Sequence, residues 1–313
     1  MHTRSLIALL ALAVASSPLV AREMIAEDSF HRTLLVDGPV QLEVTTGAGH
    51  IYLRAGQPGQ IRITGTVRGP EANEEARLLD AEPPIVQDGN RIRVGRVDRP
   101  EWVRGDISIS YEIVAPPETR LWSHTGVGDQ RLEGIEGPVD AASSSGRLTL
   151  SNIGGGVRAR TGVGDIRVTT VEGELTATTS SGSIYAAGIT GAICARTRVG
   201  HVRLENNPAR DFDVTTSSGN VQVSGAQGSV RVRTGVGHIA ADGQPEGEWD
   251  LGAGAGNVQV RWRHGKGLNV YARTTSGRIE TGGFAHGRRE WRRRSAGGAL
   301  VHLRTGVGNI RIE

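Results

Sequence analysis

VRARTGVGDIRVTTVEGELTATTSSGSIYA, residues 157–186, contains the same unit twice. Gly164 and Gly182 each close a Thr/Ser-rich motif. Seven, five and three positions before them stand Val157 and Leu175, Ala159 and Ala177, and Thr161 and Thr179. Two positions after them stand Ile166 and Ile184. Apolar residues spaced by two mark a strand with one buried face. The inward parity is odd before the glycine and even after it, so the phase must shift there. A glycine outside the ordinary L-residue conformations shifts it without a Cβ clash.

Working outward, the unit recurs at Gly128, Gly146, Gly164, Gly182, Gly200, Gly219 and Gly237, in steps of 18, 18, 18, 18, 19 and 18. Further copies close at Gly49, Gly256, Gly277 and Gly308. A fixed period of this size marks a solenoid. An 18-residue coil cannot bury its apolar face alone, but stacked about 4.8 Å from its neighbours it can. The predicted fold is therefore all-β: a single-stranded β-solenoid, or β-helix, of about 18-residue coils. Glycine supplies 45 of 313 residues, about twice the usual share, and aromatics only 4%, as a narrow core requires. The hydroxyl column three before the glycine (Thr125, Ser143, Thr161, Thr179, Thr197, Thr216, Thr234) is expected to form an inner ladder, each hydroxyl satisfying the next. Ala253 interrupts that column, and Gln130 interrupts the apolar column two after.

A second period lies inside the first. The residue before the glycine alternates: Val127, Ser145, Val163, Ser181, Val199, Ser218, Val236. Four before, Arg160, Arg196 and Arg233 alternate with Ala142, Thr178 and Thr215. Like charges on adjacent coils would repel by about 0.9 kcal/mol at ~4.8 Å in water. On every second coil they stand ~10 Å apart, near the Debye length. Charge repulsion thus explains the arginine spacing without a ligand.

Residues 1–21 read as a secretory signal, with Arg4, the apolar run LIALLALAVA (6–15) and a cleavage site after Ala21. That run is too short to span a bilayer, and no later one reaches spanning length. The single cysteine, Cys194, allows no internal disulfide. The expected location is exported: periplasmic, secreted or at the cell surface. Removing the signal takes the net charge from +3 to about +2, too little to argue for nucleic acid or membrane by bulk charge. Residues 22–120 are expected to form a β-rich section that starts and caps the solenoid, with strands near 40–46, 50–54, 60–67, 91–94 and 107–114 and a short helix at 71–80. Residues 121–313 are expected to be the regular solenoid, with an Arg-rich insert at 283–297. The last residue, Glu313, directly follows strand-like residues. Either the insert folds over that end, or the end pairs with another molecule, giving end-to-end self-association.

The units TTSSGSIYA (178–186), TTSSGNVQV (215–223) and RTTSGRIET (273–281), with ISISYEIVAPPETRLW (107–122), resemble the bacterial family of candidate adhesins with β-strand repeats, a domain of unknown function. The likeness covers most of residues 30–313. It implies an exported β-solenoid without known catalysis and supplies no catalytic residues. The strict TGVG coils and the Arg-rich insert depart from the family pattern.

Among candidate sites, the insert places Arg288, Arg289, Arg292, Arg293 and Arg294 around Trp291. Arginines beside an indole suit phosphate or acidic polymers, so these six residues are the candidate anion-binding set. A solvated loop or cap is the plainer reading. The column after the glycine (His50, Asp129, Asp165, His201, Asn220, His238) has metal-ligand chemistry. Turn chemistry, with each side chain bonding its own backbone, explains it more simply. The arginines at 158, 160, 167, 196, 203, 231 and 233 are read as one outward surface, with Asp140, Asp213 and Asp250 pairing Arg158 and Arg231. Cys194 faces outward without a nearby base. No phosphate loop, dinucleotide fingerprint or zinc spacing occurs. No cofactor or metal is assigned. The leading expectation is a non-catalytic, adhesin-like role at the cell envelope, with an anionic glycan, envelope polymer or protein as partner and no nucleic acid. The alternative is a glycan-binding or glycan-cleaving β-helix.

Overall fold

A computed structural model describes residues 26–69, 79, 81–95, 107–262, 267–282, 284–286, 289–295 and 297–313. The expected signal segment and nearly all of the expected helix at 71–80 lie outside the described residues, as does Arg288.

The chain forms a 15-stranded and a 14-stranded sheet. Each regular coil gives one strand to each, as Val157–Val163 gives to the shorter sheet and Ile166–Val171 to the longer. Successive coils pair in parallel at the spacing of the repeat: Val157 lies opposite Leu175, and Ile166 opposite Ile184. The inward columns form one continuous apolar core, including Val139, Val157, Leu175, Ile193, Phe212 and Val230. The expected solenoid is thus the observed fold.

The phase shift at the glycine is observed directly. The eleven repeat glycines have φ from 133° to 156°. A Cβ on Gly182 would lie 2.0 Å from the carbonyl oxygen of Gly164, and the same contact recurs up the column. A second phase shift falls six positions after the glycine, at Gly134, Asn152, Thr170, Gly188, Asn206 and Gly225. All six have φ between 50° and 75°.

The hydroxyl column is arranged differently from expectation. Thr161, Thr179, Thr197 and Thr234 donate to the repeat-glycine carbonyls of the preceding coil (Gly146, Gly164, Gly182 and Gly219), each at 3.0 Å. The hydroxyls therefore satisfy backbone rather than one another. Gln130 is also explained. Its side chain is buried, accepts from the Ser123 hydroxyl at 2.6 Å and donates to the Ala142 carbonyl at 2.5 Å. Ser123 and Gln130, the polar breaks in two apolar columns, meet inside one coil.

At both ends the spatial order departs from chain order. The coil Gln41–Ala48/Ile51–Ala55 lies between Arg120–Val127/Gln130–Glu133 on one side and Arg91–Val94/Ser108–Ala115 on the other. Antiparallel strands close that end. Gln60–Gly69 pairs with Ser108–Ala115, Ala26–Leu35 pairs with Gln60–Gly69, and Ile85–Asp88 pairs with Arg91–Val94. Ala26–Leu35 and Ile85–Asp88 were not among the expected strands: the first lacks a run of branched residues, and the second has four residues.

At the other end, Ala299–Val307 inserts between Trp249–Ala255 and Leu268–Ser276. Ile310–Ile312 inserts between Val258–Trp262 and Ile279–Thr281. The final strand is therefore internal, which removes the free edge that end-to-end pairing through it required. The outermost rung is 268–281, and the insert folds over it: Phe284–His286 and Glu290–Arg293 pair with it antiparallel. Among the described residues, no helix is long and apolar enough to cross a membrane.

Candidate functional site

The outer face of the 14-stranded sheet carries a shallow trough. Its floor is the column six before the glycine. In spatial order this reads Arg93, Glu43, Trp122, Asp140, Arg158, Thr176, Cys194, Asp213, Arg231, Asp250. Three grooves join along it. One of about 440 Å³ is lined by Glu43, Arg91, Arg93, Trp122, His124 and Asp140. A second, of about 340 Å³, shares Trp122 and Asp140 with the first and adds Arg158, Glu174 and Thr176. A third, of about 350 Å³, shares Glu174 and Thr176 and continues through Cys194, Asp213 and Arg231 to Asp250.

Strand parity aims these side chains outward, and the parallel register lines them up. Trp122 is 40% exposed, an indole face at the junction of two grooves, with the Arg120 guanidinium 5.8 Å from its ring centroid. Glu43 and Asp140 occupy its column on the rungs to either side. Farther along, carboxylates and arginines pair across rungs. Asp140 faces Arg158 and Arg160 at 3.7 Å each. Asp213 pairs with Arg196 at 2.8 Å. Asp250, largely buried, holds Arg233 at 2.8 Å and Arg304 at 2.6 Å. The expected Asp140–Arg158 pair is present. Arg231 makes no ion pair among the described residues: Asp213 and Asp250 take their arginines from the column four before the glycine. Arg167 and Arg203 lie on the other sheet, so the arginines do not form one surface. Arg167 sits over the Tyr185 ring at 4.5 Å, and Arg203 binds Glu205, whose carboxyl it holds below the usual range. Cys194 lies in the trough, and burial raises its thiol pKa, leaving it less nucleophilic at neutral pH.

The corner column does not bond its own backbone. Each acceptor reaches the N–H of the same column on a neighbouring coil. Asp165 Oδ1 accepts from Ser183 N–H at 2.8 Å, His201 Nδ1 from Asn220 N–H at 3.0 Å, and Asn220 Oδ1 from His238 N–H at 2.9 Å. His50 and His238 repeat the histidine contact. These imidazoles accept at Nδ1 and so carry their proton on Nε2. Among the described residues, no three His, Cys, Asp or Glu side chains gather as a metal would require.

In the insert, Arg292 lies 4.8 Å from the Tyr271 ring and 3.7 Å from Glu290. Trp291 is partly buried against the core. Arg289, Arg293 and Arg294 are exposed. The trough was missed in the sequence because periodicity tells which side chains face outward and not what relief they leave between them. The available signal was an exposed tryptophan among charged residues in one outward column.

A family model described as Toastrack DUF4097 matches residues 157–313. No curated protein matches the sequence. Three solved structures align over most of the chain. A candidate cell adhesion protein from Clostridium sporogenes is 12% identical, covering 91% of this chain and 99% of its own, with a TM-score of 0.26. A candidate adhesin from Bacteroides fragilis is 13% identical, covering 91% and 97%, with a TM-score of 0.33. A candidate lipid binding protein from Parabacteroides distasonis is 8% identical, covering 90% and 96%, with a TM-score of 0.34. Likenesses this distant transfer no ligand or activity.

Proposed function

The chain belongs to the Toastrack DUF4097 family, and from that footing we propose that it is an exported, adhesin-like β-solenoid with a non-catalytic binding or scaffold role at the bacterial cell envelope. The observation that carries this reading is the trough. Its floor runs over ten rungs from Arg93 to Asp250, about 43 Å at the strand spacing. Such a surface suits an extended ligand rather than a compact one. Fixed charges of both signs offer hydrogen bonds at regular intervals, and Trp122 offers a flat apolar face of the kind that sugar rings stack on. Asp140, Asp213 and Asp250 already face arginines, so each stands in the trough as one half of an ion pair. Exposed Arg289, Arg293 and Arg294, with Arg288, Arg292 and Trp291, belong to the same proposal as an anion contact at the far end.

Immobilised envelope polysaccharides test this, with retention and release of sugar measured together. Retention without release is expected, with at least a tenfold loss in Trp122→Ala. Retention unchanged in that variant would remove the trough from the account. Reversing Arg289, Arg293 and Arg294 to Glu should weaken retention of acidic polymers only. The second reading is glycan cleavage, which the placement of Glu43 and Asp140 around Trp122 favours. Sugar release lost in Glu43→Gln would establish it.

A further inference from the structure

At the corner where the 14-stranded sheet ends, the valines and serines that precede the repeat glycines are exposed, and Ala48 and Ala255 in the same column are half-buried. Val127, Val163, Val199, Val236 and Val307 are 62, 58, 52, 60 and 61% exposed. In spatial order they alternate without a break with small residues: Val127, Ser145, Val163, Ser181, Val199, Ser218, Val236, Ala255, Val307, Ser276. Chain order would break this pattern, because Ala255 and Ser276 would become neighbours. Insertion of the final coil restores it, and also sets Arg304 in phase with Arg160, Arg196 and Arg233.

Charge repulsion accounts for alternating arginines but does not act on valines. Branched side chains on neighbouring strands pack favourably, so coil stability alone favours valine on every rung. The alternation is instead a surface relief, with ridges about 9.6 Å apart, two strand spacings. A second copy of the chain carries that same period. We propose that this edge is an interface between two copies packed antiparallel, with a two-fold axis midway between the rungs of Val199 and Ser218.

That placement sets every ridge opposite a small residue. Val199 faces Ser218 of the second copy, Val236 faces Ser181, Val163 faces Ala255, Val307 faces Ser145 and Val127 faces Ser276. The same patch serves both copies, an isologous arrangement. A strip of ten rungs, roughly 10 Å wide, buries on the order of 1,000 Å² in total, the lower bound for a specific interface. The dimer is therefore weak and concentration-dependent.

Sedimentation of the full mature chain from about 1 to 100 µM, the range a weak interface of this size calls for, tests the proposal. The expected result is a monomer that becomes a dimer across the range. Val163→Ser/Val199→Ser/Val236→Ser should weaken association at least tenfold at unchanged melting temperature, because serine already occupies the neighbouring rungs. Val199→Asp alone, beside the axis, should do the same. A monomer throughout, or a triple variant that associates like wild type, overturns it. No ligand is present, so the outcome is independent of the trough.

Discussion

Gly182 is fixed by two constraints at once. Its φ of 149° disfavours any L side chain, and an added Cβ would meet the Gly164 carbonyl oxygen. That same oxygen accepts the Thr179 hydroxyl, so the small residue and the hydroxyl are one device. Gly182→Ala is expected to cost about 3 kcal/mol or more, read as a lowered urea midpoint; a loss under about 1 kcal/mol would contradict it. Ser123 and Gln130 make the opposite test. Gln130→Leu alone strands a buried hydroxyl, at about 1–3 kcal/mol. Adding Ser123→Ala should recover most of that loss in a double-mutant cycle, and additive losses would deny the coupling. The sequence marked Gln130, though not Ser123, as an exception to its column. It did not show that they touch, because that depends on how each coil folds across its core.

Within a coil, the glycine corner was legible because one residue type occupies it every time. The other corner was not, because Gly134, Asn152, Thr170, Gly188, Asn206 and Gly225 share a conformation and not a composition. Thr170, branched and at φ 57°, is the misfit among them. Thr170→Gly should stabilise by about 1 kcal/mol, seen as a raised melting temperature; destabilisation would place the corner elsewhere. The corner ladder has a similar gap. Arg147 stands in the acceptor column without an acceptor to offer Asp165 N–H. Arg147→Asn should add up to about 1 kcal/mol, and a neutral or negative result would show that solvent already satisfies that amide.

Across the whole molecule, the columns fixed which residues face in and out but not which rungs are neighbours. The order at the C-terminal end came only from the structure, although the alternation of valine with small residues held the clue. A coil that inserts between two others is held on both faces. Deleting residues 299–313 removes buried Val301, Leu303, Ile310 and Ile312, each worth roughly 1.5–3 kcal/mol. It also leaves two sheet edges facing a gap. The truncated chain should lose residues 268–295 to limited proteolysis. Resistance equal to that of the full chain would mean that the end had merely frayed.

The ridge pattern and the capped end both depend on that spatial order, which one engineered disulfide tests. In a Cys194→Ser background, Ala255→Cys and Val307→Cys place two thiols on neighbouring rungs in register, with Cα atoms about 4.8 Å apart, within disulfide reach. Near-complete oxidation to an intramolecular disulfide is the expected result. Two free thiols after oxidation, with Ala255→Cys bridging instead to Ser276→Cys, would mean the coils stack in chain order and would contradict the account.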